Sequence, residues 1–249
     1  MTAETDLQIT RGRAALWLLY PAALLILAGC FAYGATIYDS LPDTVPTHWG
    51  GSGQPDAWAE KSFGSVFLPL LIGAGLILFL ALIAAAVPLM VPAEREATAW
   101  ELYRREGMIR GTIAAMGGVG VLLACILGYL TVNGWRNPEQ VALWPALTGT
   151  ALLLAAVVAA YALASRWARR TALARGIQPT EEEQAEDRLW VAGGFYNNPD
   201  DPHVLVPKRS GSGTGMTVNV GNAKGRAAVV VFLAVFVGIP LVLGVVLAL

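Results

Sequence analysis

Residues 63–91 read FGSVFLPLLIGAGLILFLALIAAAVPLMV, an apolar run that contains no charged side chain. An α-helix rises about 1.5 Å per residue, so roughly 20 apolar residues cross the hydrocarbon core of a bilayer. Backbone amides in lipid must be paired internally, and the run lacks the period-two alternation that is typical of a membrane β-barrel. The run therefore predicts a transmembrane helix, tilted or frayed at its ends because it is longer than a span requires.

Four other apolar runs predict four more helices of the same kind. The chain is 55 % hydrophobic and only 14 % charged, which lies outside the range of ordinary soluble domains. These observations predict an all-α integral membrane protein with five transmembrane helices, for which the lipid bilayer is the first partner. The four other runs are residues 14–38, 108–132, 141–165 and 227–249.

The distribution of basic residues predicts which connections are cytoplasmic. Fifteen of the 17 Lys and Arg residues lie in the N-terminus, in the fourth connection, or in the second connection and at its margin, where Arg110 begins the next apolar run. Cytoplasmic connections retain Lys and Arg, so we expect the N-terminus inside and the C-terminus outside a bacterial plasma membrane. The chain then divides into residues 1–13 (cytoplasmic), 14–91 (two helices with an extracytoplasmic loop, 39–62), 92–107 (cytoplasmic connection), 108–165 (two-helix membrane hairpin), 166–226 (cytoplasmic module) and 227–249 (last helix).

Both cysteines lie inside apolar runs, so neither a disulfide framework nor a thiolate metal cluster is predicted. Residues 27–30 read LAGC, which matches a bacterial lipobox and would allow lipidation of Cys30. We favour an unprocessed helix, because the apolar run continues to Tyr38 whereas the apolar region of a signal peptide ends at its cleavage site. A net charge of −1 gives no indication of a nucleic-acid partner.

The extracytoplasmic loop contains the stretch VPTHWGGSGQPDAWAEKS, residues 45–62. Its prolines and glycines predict a folded cap rather than a flexible linker. We expect Asp56 to cap a helix start and to pair with Lys61 or a backbone amide. His48 has no evident structural partner in the sequence, and one His among carboxylates is weak evidence for zinc, so a ligand-facing role without metal is predicted. The candidate ligand-binding residues are His48, Trp49, Asp56, Trp58 and Lys61, with the two tryptophans also suited to anchoring at the membrane interface.

The same loop resembles a family of uncharacterised bacterial membrane domains of unknown function. That family includes the N-terminal part of the immunity protein against the sporulation-delaying toxin of bacilli, so the resemblance implies an immunity-like role. It covers the loop and, more loosely, the two flanking helices. The residues that carry it are Pro46, His48, Gly53, Pro55, Asp56 and Lys61.

The fourth connection is the longest polar segment and predicts a small α+β module, from about residue 178 to residue 224. Thr180 and Glu183 have capping-box spacing, which predicts a short acidic helix from Glu181 to about Leu189. Residues 204–206 and 216–220 predict a hairpin, with a turn at residues 210–215. A two-stranded hairpin is marginal alone in water, so we expect it to pack on the acidic helix, the membrane face or a partner chain. This dependence suggests a role in interaction. The candidate partner-binding residues are Trp190, Phe195, Tyr196, Asp200, Lys208 and Arg209.

A second resemblance lies in this connection, in the stretches GGFYNNPDDPHVLVPKR and GMTVNVG. They are similar to an uncharacterised short cytoplasmic domain that is often attached to membrane proteins of the first family.

The stretch GSGTG, residues 211–215, lacks the Lys and the helix that follow the glycines in a phosphate-binding loop. It therefore predicts only a flexible turn.

The sequence contains no evident Ser/His/Asp or Cys/His arrangement of a nucleophile with its base, so no catalytic residues are predicted. We therefore expect a non-enzymatic protein without cofactors or metal: an envelope sensor or immunity-like protein. Its outer cap would meet an envelope peptide or another envelope component, and its inner module a cytoplasmic protein. The alternative is a small-molecule or lipid transporter or an accessory subunit of one, although the apolar runs lack the Asp, Glu or Lys at depth that proton-coupled transport uses.

Overall fold

Long uninterrupted apolar runs form the main helices of the fold. The computed structural model describes residues 9–93, 96–191, 194–209, 215–238 and 242. Among these residues four helices are long and apolar enough to cross a membrane, and they coincide with the first four predicted runs. With their flanking turns, the four are Arg13–Ser40, Phe63–Met90, Ala99–Arg136 and Trp144–Ala174.

Six α-helices and six short strands are described along the chain. The third long helix begins at Ala99, within the second connection and nine residues before the predicted apolar run. In chain order the elements are α1 (Leu19–Ile37), β1 (Thr44–Trp49), β2 (Pro55–Glu60), α2 (Phe63–Met90), α3 (Ala99–Arg136), α4 (Trp144–Ala174), α5 (Glu181–Arg188), β3 (Trp190–Val191), β4 (Phe195–Tyr196), β5 (Leu205–Pro207), β6 (Met216–Val218) and α6 (Ala223–Leu233).

The fifth predicted span is described only in part. The side chain of Asn222 caps α6 by accepting a hydrogen bond from the backbone N–H of Gly225 at 2.7 Å. A π-helical turn, Ala234–Gly238, follows α6. Beyond residue 238 only residue 242 is described, so the count of five spans is not confirmed.

The chain divides into two compact units, and each is described by itself. We call them the hairpin unit and the module unit, after the connection that each contains. The hairpin unit comprises Leu18–Leu82, Met116–Ala155 and Phe236–Leu249, and the module unit comprises Met1–Trp17, Ile83–Ala115 and Ala156–Val235.

Glycines allow close helix packing in the hairpin unit. A Cβ atom at Gly34 of α1 would lie 2.8 Å from the ring of Phe67, and one at Gly73 of α2 would lie 2.7 Å from Leu127. The ring of Phe31 completes the contact, with its centroid 4.5 Å from that of Phe67. Van der Waals packing of this kind drives helix association in a bilayer, because lipid tails are as apolar as the side chains and the hydrophobic effect no longer favours contact between helices.

Small residues also line the contact of α3 with α4 in the module unit. Ala164, Ala168 and Ala172, spaced four apart on α4, are all buried. A Cβ atom at Gly107 would lie 2.8 Å from that of Ala168, and one at Gly111 would lie 2.7 Å from the ring of Tyr161. Glycines on α3 therefore let α4 approach closely, with its alanines and the ring of Tyr161 against the glycine positions.

Large apolar side chains cover the outside of the long helices. Leu25 of α1 is 71 % exposed and Leu89 of α2 is 84 % exposed, and Leu163 of α4 is similarly open. Exposed apolar surface on this scale is typical of a membrane protein rather than of a soluble monomer. Helix α1 runs through Cys30 without a break.

The fourth connection contains the helix and the hairpin that its sequence predicts. Thr180 accepts from the backbone N–H of Glu183, whose side chain accepts from the backbone N–H of Thr180, so the predicted capping box forms. β5 and β6 pair as an antiparallel hairpin, with Val206 opposite Thr217. The predicted turn at residues 210–215 lies mostly outside the described residues.

Candidate functional site

β1 and β2 form an antiparallel hairpin in the first connection, where the sequence predicted a cap but no strands. Pro46 lies opposite Trp58, His48 lies opposite Ala57, and the register slips on both sides of His48. Such a bulge adds a residue to one strand and re-aims its side chains. The irregular register therefore determines where the His48 ring points.

The bulge brings His48 next to Asp56 on β2. The Nδ1 atom of His48 lies 2.6 Å from Oδ1 of Asp56, so the ring donates to the carboxylate. Both side chains are exposed, at 70 % and 53 %. Trp58, on the same strand as Asp56, is 47 % exposed. The hairpin thus presents an imidazole, a carboxylate and an indole to its surroundings.

The predicted partners of Asp56 and Lys61 are wrong. Asp56 lies within a strand and therefore caps no helix, and its hydrogen bond goes to His48 rather than to Lys61. The Nζ atom of Lys61 instead donates to the carbonyl of Leu41 at 2.8 Å and lies 5.7 Å from the ring centroid of Tyr38. Lys61 therefore closes the base of the hairpin, and His48 does have a partner.

Trp49 lies against the backbone of α3, in contact with Gly134. Its indole is half-buried, and no acceptor among the described residues lies within hydrogen-bond distance of Nε1. A Cβ atom at Gly134 would collide with the ring. The structure thus gives Trp49 a packing role, in contrast to the exposed Trp58.

The turn of the hairpin is held by the third connection. Gly53 has a φ of 78°, a left-handed backbone conformation that glycine adopts more easily than other residues. Its carbonyl accepts a hydrogen bond from the backbone N–H of Val141 at 2.9 Å. The Gln140 side chain donates to the carbonyl of Ser52 at 2.7 Å. Val141 is almost fully buried. A short connection without evident chemistry therefore fixes the hairpin in place.

The predicted partner-binding residues of the module fall into exposed and packed groups. Phe195, Asp200 and Lys208 are exposed. Trp190 and Tyr196 are half-buried and pack edge to face, with ring centroids 5.3 Å apart. The structure does not bring the six residues into one surface patch.

Arg209 is buried, which the sequence did not predict. Its side chain is 5 % exposed and donates to Asp187 at 2.5 Å and to Glu186 at 2.7 Å. Both carboxylates belong to the end of α5, so the ion pairs tie the β5 hairpin to that helix. Arg209 therefore acts within the module rather than on its open surface.

Asn219 joins the segments of the module and was missed by the sequence analysis. It is fully buried, and its Oδ1 accepts from the backbone N–H groups of Asn198 and Gly221. Its Nδ2 donates to the carbonyls of Asn198 and Asp201, at 2.9 and 3.0 Å. All its hydrogen-bonding capacity is used, which stabilises a buried amide. Only the tertiary structure distinguishes it from other asparagines in the stretch.

The Asn- and Asp-rich stretch contains local turns around its prolines. The side chain of Asn198 accepts from the backbone N–H of Asp200 at 3.0 Å, and Asp201 accepts from that of His203 at 2.9 Å. Hydrogen bonds from the backbone of His203, and then from its ring, lower the pKa of Asp201. No group of three or more His, Cys, Asp or Glu side chains among the described residues is arranged to hold a metal ion.

Two features of the module unit went unnoticed in the sequence. The first is a buried ion-pair network: Glu106 accepts from Arg110 at 2.9 Å and from Arg13 at 3.0 Å. The guanidinium of Arg110 also stacks on Trp167, 3.6 Å from the ring centroid. The spacing of Glu106 and Arg110 by four residues in a helix was the signal for it. This network ties the N-terminal segment to α3.

The second feature is a cavity of about 260 Å³ between α3, α4 and the module. Aromatic rings and charged groups share its wall. Its lining includes Trp100, Tyr103, Arg104, Tyr161, Arg169 and Arg209.

The comparison with protein families places a match on the hairpin. Residues 25–73 match the family model described as Domain of unknown function (DUF1648). A DUF1648 domain is found there. It runs from the middle of α1 through the hairpin into α2, so it contains His48, Asp56 and Trp58. No curated protein and no solved structure matches the chain.

Proposed function

We propose that the protein is a non-enzymatic envelope sensor or immunity-like protein of the bacterial plasma membrane. In this proposal the β1–β2 hairpin meets an envelope peptide or another envelope component, and the module engages a cytoplasmic protein. The four apolar helices hold the chain in the bilayer. The immunity-like element rests on the resemblance of the loop to the immunity protein against the sporulation-delaying toxin.

One observation carries the proposal: an anchored hairpin that leaves three chemically distinct side chains in the open. Trp49, the turn at Gly53 and Lys61 hold the hairpin, so its surface is preorganised. Binding then costs less ordering entropy than binding by a flexible loop would. Trp58 supplies the aromatic anchor that binding interfaces favour, and His48 with Asp56 supplies a polar pair beside it along the strands.

Site-specific photocrosslinking in living cells tests the hairpin. A photoreactive amino acid at position 58 of the full chain should give a crosslinked envelope peptide or component, and His48→Ala should remove that adduct. The same probe at Trp144, which is 69 % exposed at the start of α4, is the matched control. Equal adducts at both positions, or an adduct that His48→Ala leaves unchanged, would contradict the sensor. The transporter or accessory-subunit alternative would then be the better account.

The orientation in this proposal rests on the distribution of basic residues. A membrane-impermeant maleimide reports it in a variant without Cys30 and Cys125. Cysteine at Ser52 should react in intact cells, and cysteine at Lys208 should react only after permeabilisation. The reverse pattern would place the hairpin inside and overturn its assignment to envelope ligands.

A further inference from the structure

The cavity in the module unit has three guanidinium groups in its wall, from Arg104, Arg169 and Arg209. All of its lining residues belong to the module unit. Its volume of about 260 Å³ lies just below the range of ~300–1,000 Å³ for pockets that hold drug-sized ligands. The cavity therefore suits a small group, or one part of a longer molecule.

The charges around the cavity favour an anion. Two of the three guanidinium groups have carboxylate partners. Glu186 and Asp187 accept hydrogen bonds from Arg209. Arg104 lies 3.9 Å from Glu101 and 3.8 Å from Glu186. Asp187 also accepts from the indole N–H of Trp100 at 3.0 Å. Arg169 is exposed and forms no ion pair with any of the residues that the structure describes. Arg169 is thus the guanidinium in the cavity wall whose charge no described carboxylate pairs with.

The wall also changes character from one end to the other. Arg209 and Asp187 come from the polar module, whereas Met108 and Tyr161 belong to the apolar runs of α3 and α4. A ligand with a charged head and an apolar body would match both ends. Guanidinium groups bind phosphate oxygens with a planar fork of donors, which makes them the preferred side chains for this anion.

We propose that this cavity binds a phosphate group, carried by an anionic lipid headgroup or by a small phosphorylated solute. The polar end receives the phosphate at Arg169 and Arg104. The apolar end accommodates the part of the ligand that follows it. This site is separate from the hairpin, so the sensor proposal and this one can fail independently.

Native mass spectrometry of the full-length protein in detergent tests the lipid source, and thermal shift with inorganic phosphate tests the solute source. We expect phosphatidylglycerol to bind more tightly than a diacylglycerol of the same chains, which lacks the phosphate. A melting temperature raised by inorganic phosphate and not by chloride would identify a solute site instead. Binding of neither probe above its control would overturn the proposal.

Arg169→Gln and Arg170→Gln form the matched pair of variants. Both residues are exposed on α4, but only Arg169 lines the cavity. Loss of one charge-assisted hydrogen bond predicts about tenfold weaker binding for Arg169→Gln and less than about twofold for Arg170→Gln. Equal effects of the two variants would show attraction by surface charge alone and would contradict a built site.

A space-filling variant separates the cavity from its charges. Ser165 also lines the cavity and is exposed. Ser165→Phe retains every arginine and should weaken binding about as much as Arg169→Gln, while Ser165→Ala should leave it unchanged. Undiminished binding in Ser165→Phe would place the phosphate outside the cavity and refute the assignment.

Discussion

The β1–β2 hairpin and the module are stabilised by different kinds of contact. Each contains a two-stranded sheet in a connection between apolar helices, and such a sheet is marginal in water without further contacts. The hairpin is anchored by packing and backbone hydrogen bonds, through Trp49 and Gly53, and its charged pair stays exposed. The module is anchored by buried polar side chains, above all Arg209 and Asn219.

The difference indicates where recognition can occur without loss of stability. An exposed ion pair contributes about 0–1 kcal/mol, because water screens it and two side chains must be ordered. Removal of one partner from a buried pair costs about 3–5 kcal/mol, since the remaining charge stays buried without a partner of opposite charge. Polar residues of the hairpin are therefore available for binding, whereas the buried Arg209 and Asn219 of the module are committed to its fold.

The largest expected effect is that of Arg209→Met. Glu186 and Asp187 lose their charge partner, so the full-length protein in detergent should lose about 3 kcal/mol of stability. The value lies at the lower end because their side chains are 46 % and 33 % exposed and can be hydrated. Lys208→Met, at the neighbouring exposed position, should change stability by less than about 0.5 kcal/mol. Equal melting temperatures for the two variants would contradict the contrast between buried and exposed charges.

Gly134→Ala tests the anchoring of the hairpin by packing. The new Cβ atom collides with the ring of Trp49, and overpacking of this kind costs about 1–3 kcal/mol. Gly118→Ala is the control, because a Cβ atom there meets no described atom within 4 Å beyond the backbone of its own helical turns. Thermal unfolding should separate the two variants, and Gly118→Ala should match or exceed the wild type. If Gly134→Ala is equally stable, Trp49 does not hold the hairpin.

The smallest stability effects belong to the exposed pair. His48→Ala and Asp56→Ala should each cost less than about 1 kcal/mol, and the double variant should cost no more than their sum. Melting temperatures in detergent give this measurement. Asp56→Ala would have been the more damaging change had Asp56 capped a helix, as the sequence alone suggested. A loss comparable to that of Gly134→Ala would make the pair structural and weaken its assignment to ligand binding.

The sequence by itself determined the features that depend on residues close along the chain. Long apolar runs specify helices in a bilayer, because every backbone group is then paired within its own segment. The acidic helix α5 follows from Thr180 and Glu183, three residues apart, and the β5–β6 hairpin follows from local alternation. This helix and this hairpin were therefore predicted close to their observed positions. The first four long helices were predicted where they occur, but α3 begins nine residues earlier and α4 ends nine residues later than the predicted runs.

Tertiary structure decided which polar side chains meet. The pairing of His48 with Asp56 depends on a bulge, whose position is set by strand register rather than by the residue types at either end. Arg209 is buried because it pairs with Asp187 of α5, which lies 22 residues earlier in the chain. Asn219 forms its hydrogen bonds only because the fold brings Asn198 and Asp201 next to it. Hydrogen bonds between segments distant in sequence are chosen by the whole packing, since each polar group has many equivalent partners until burial excludes all but one.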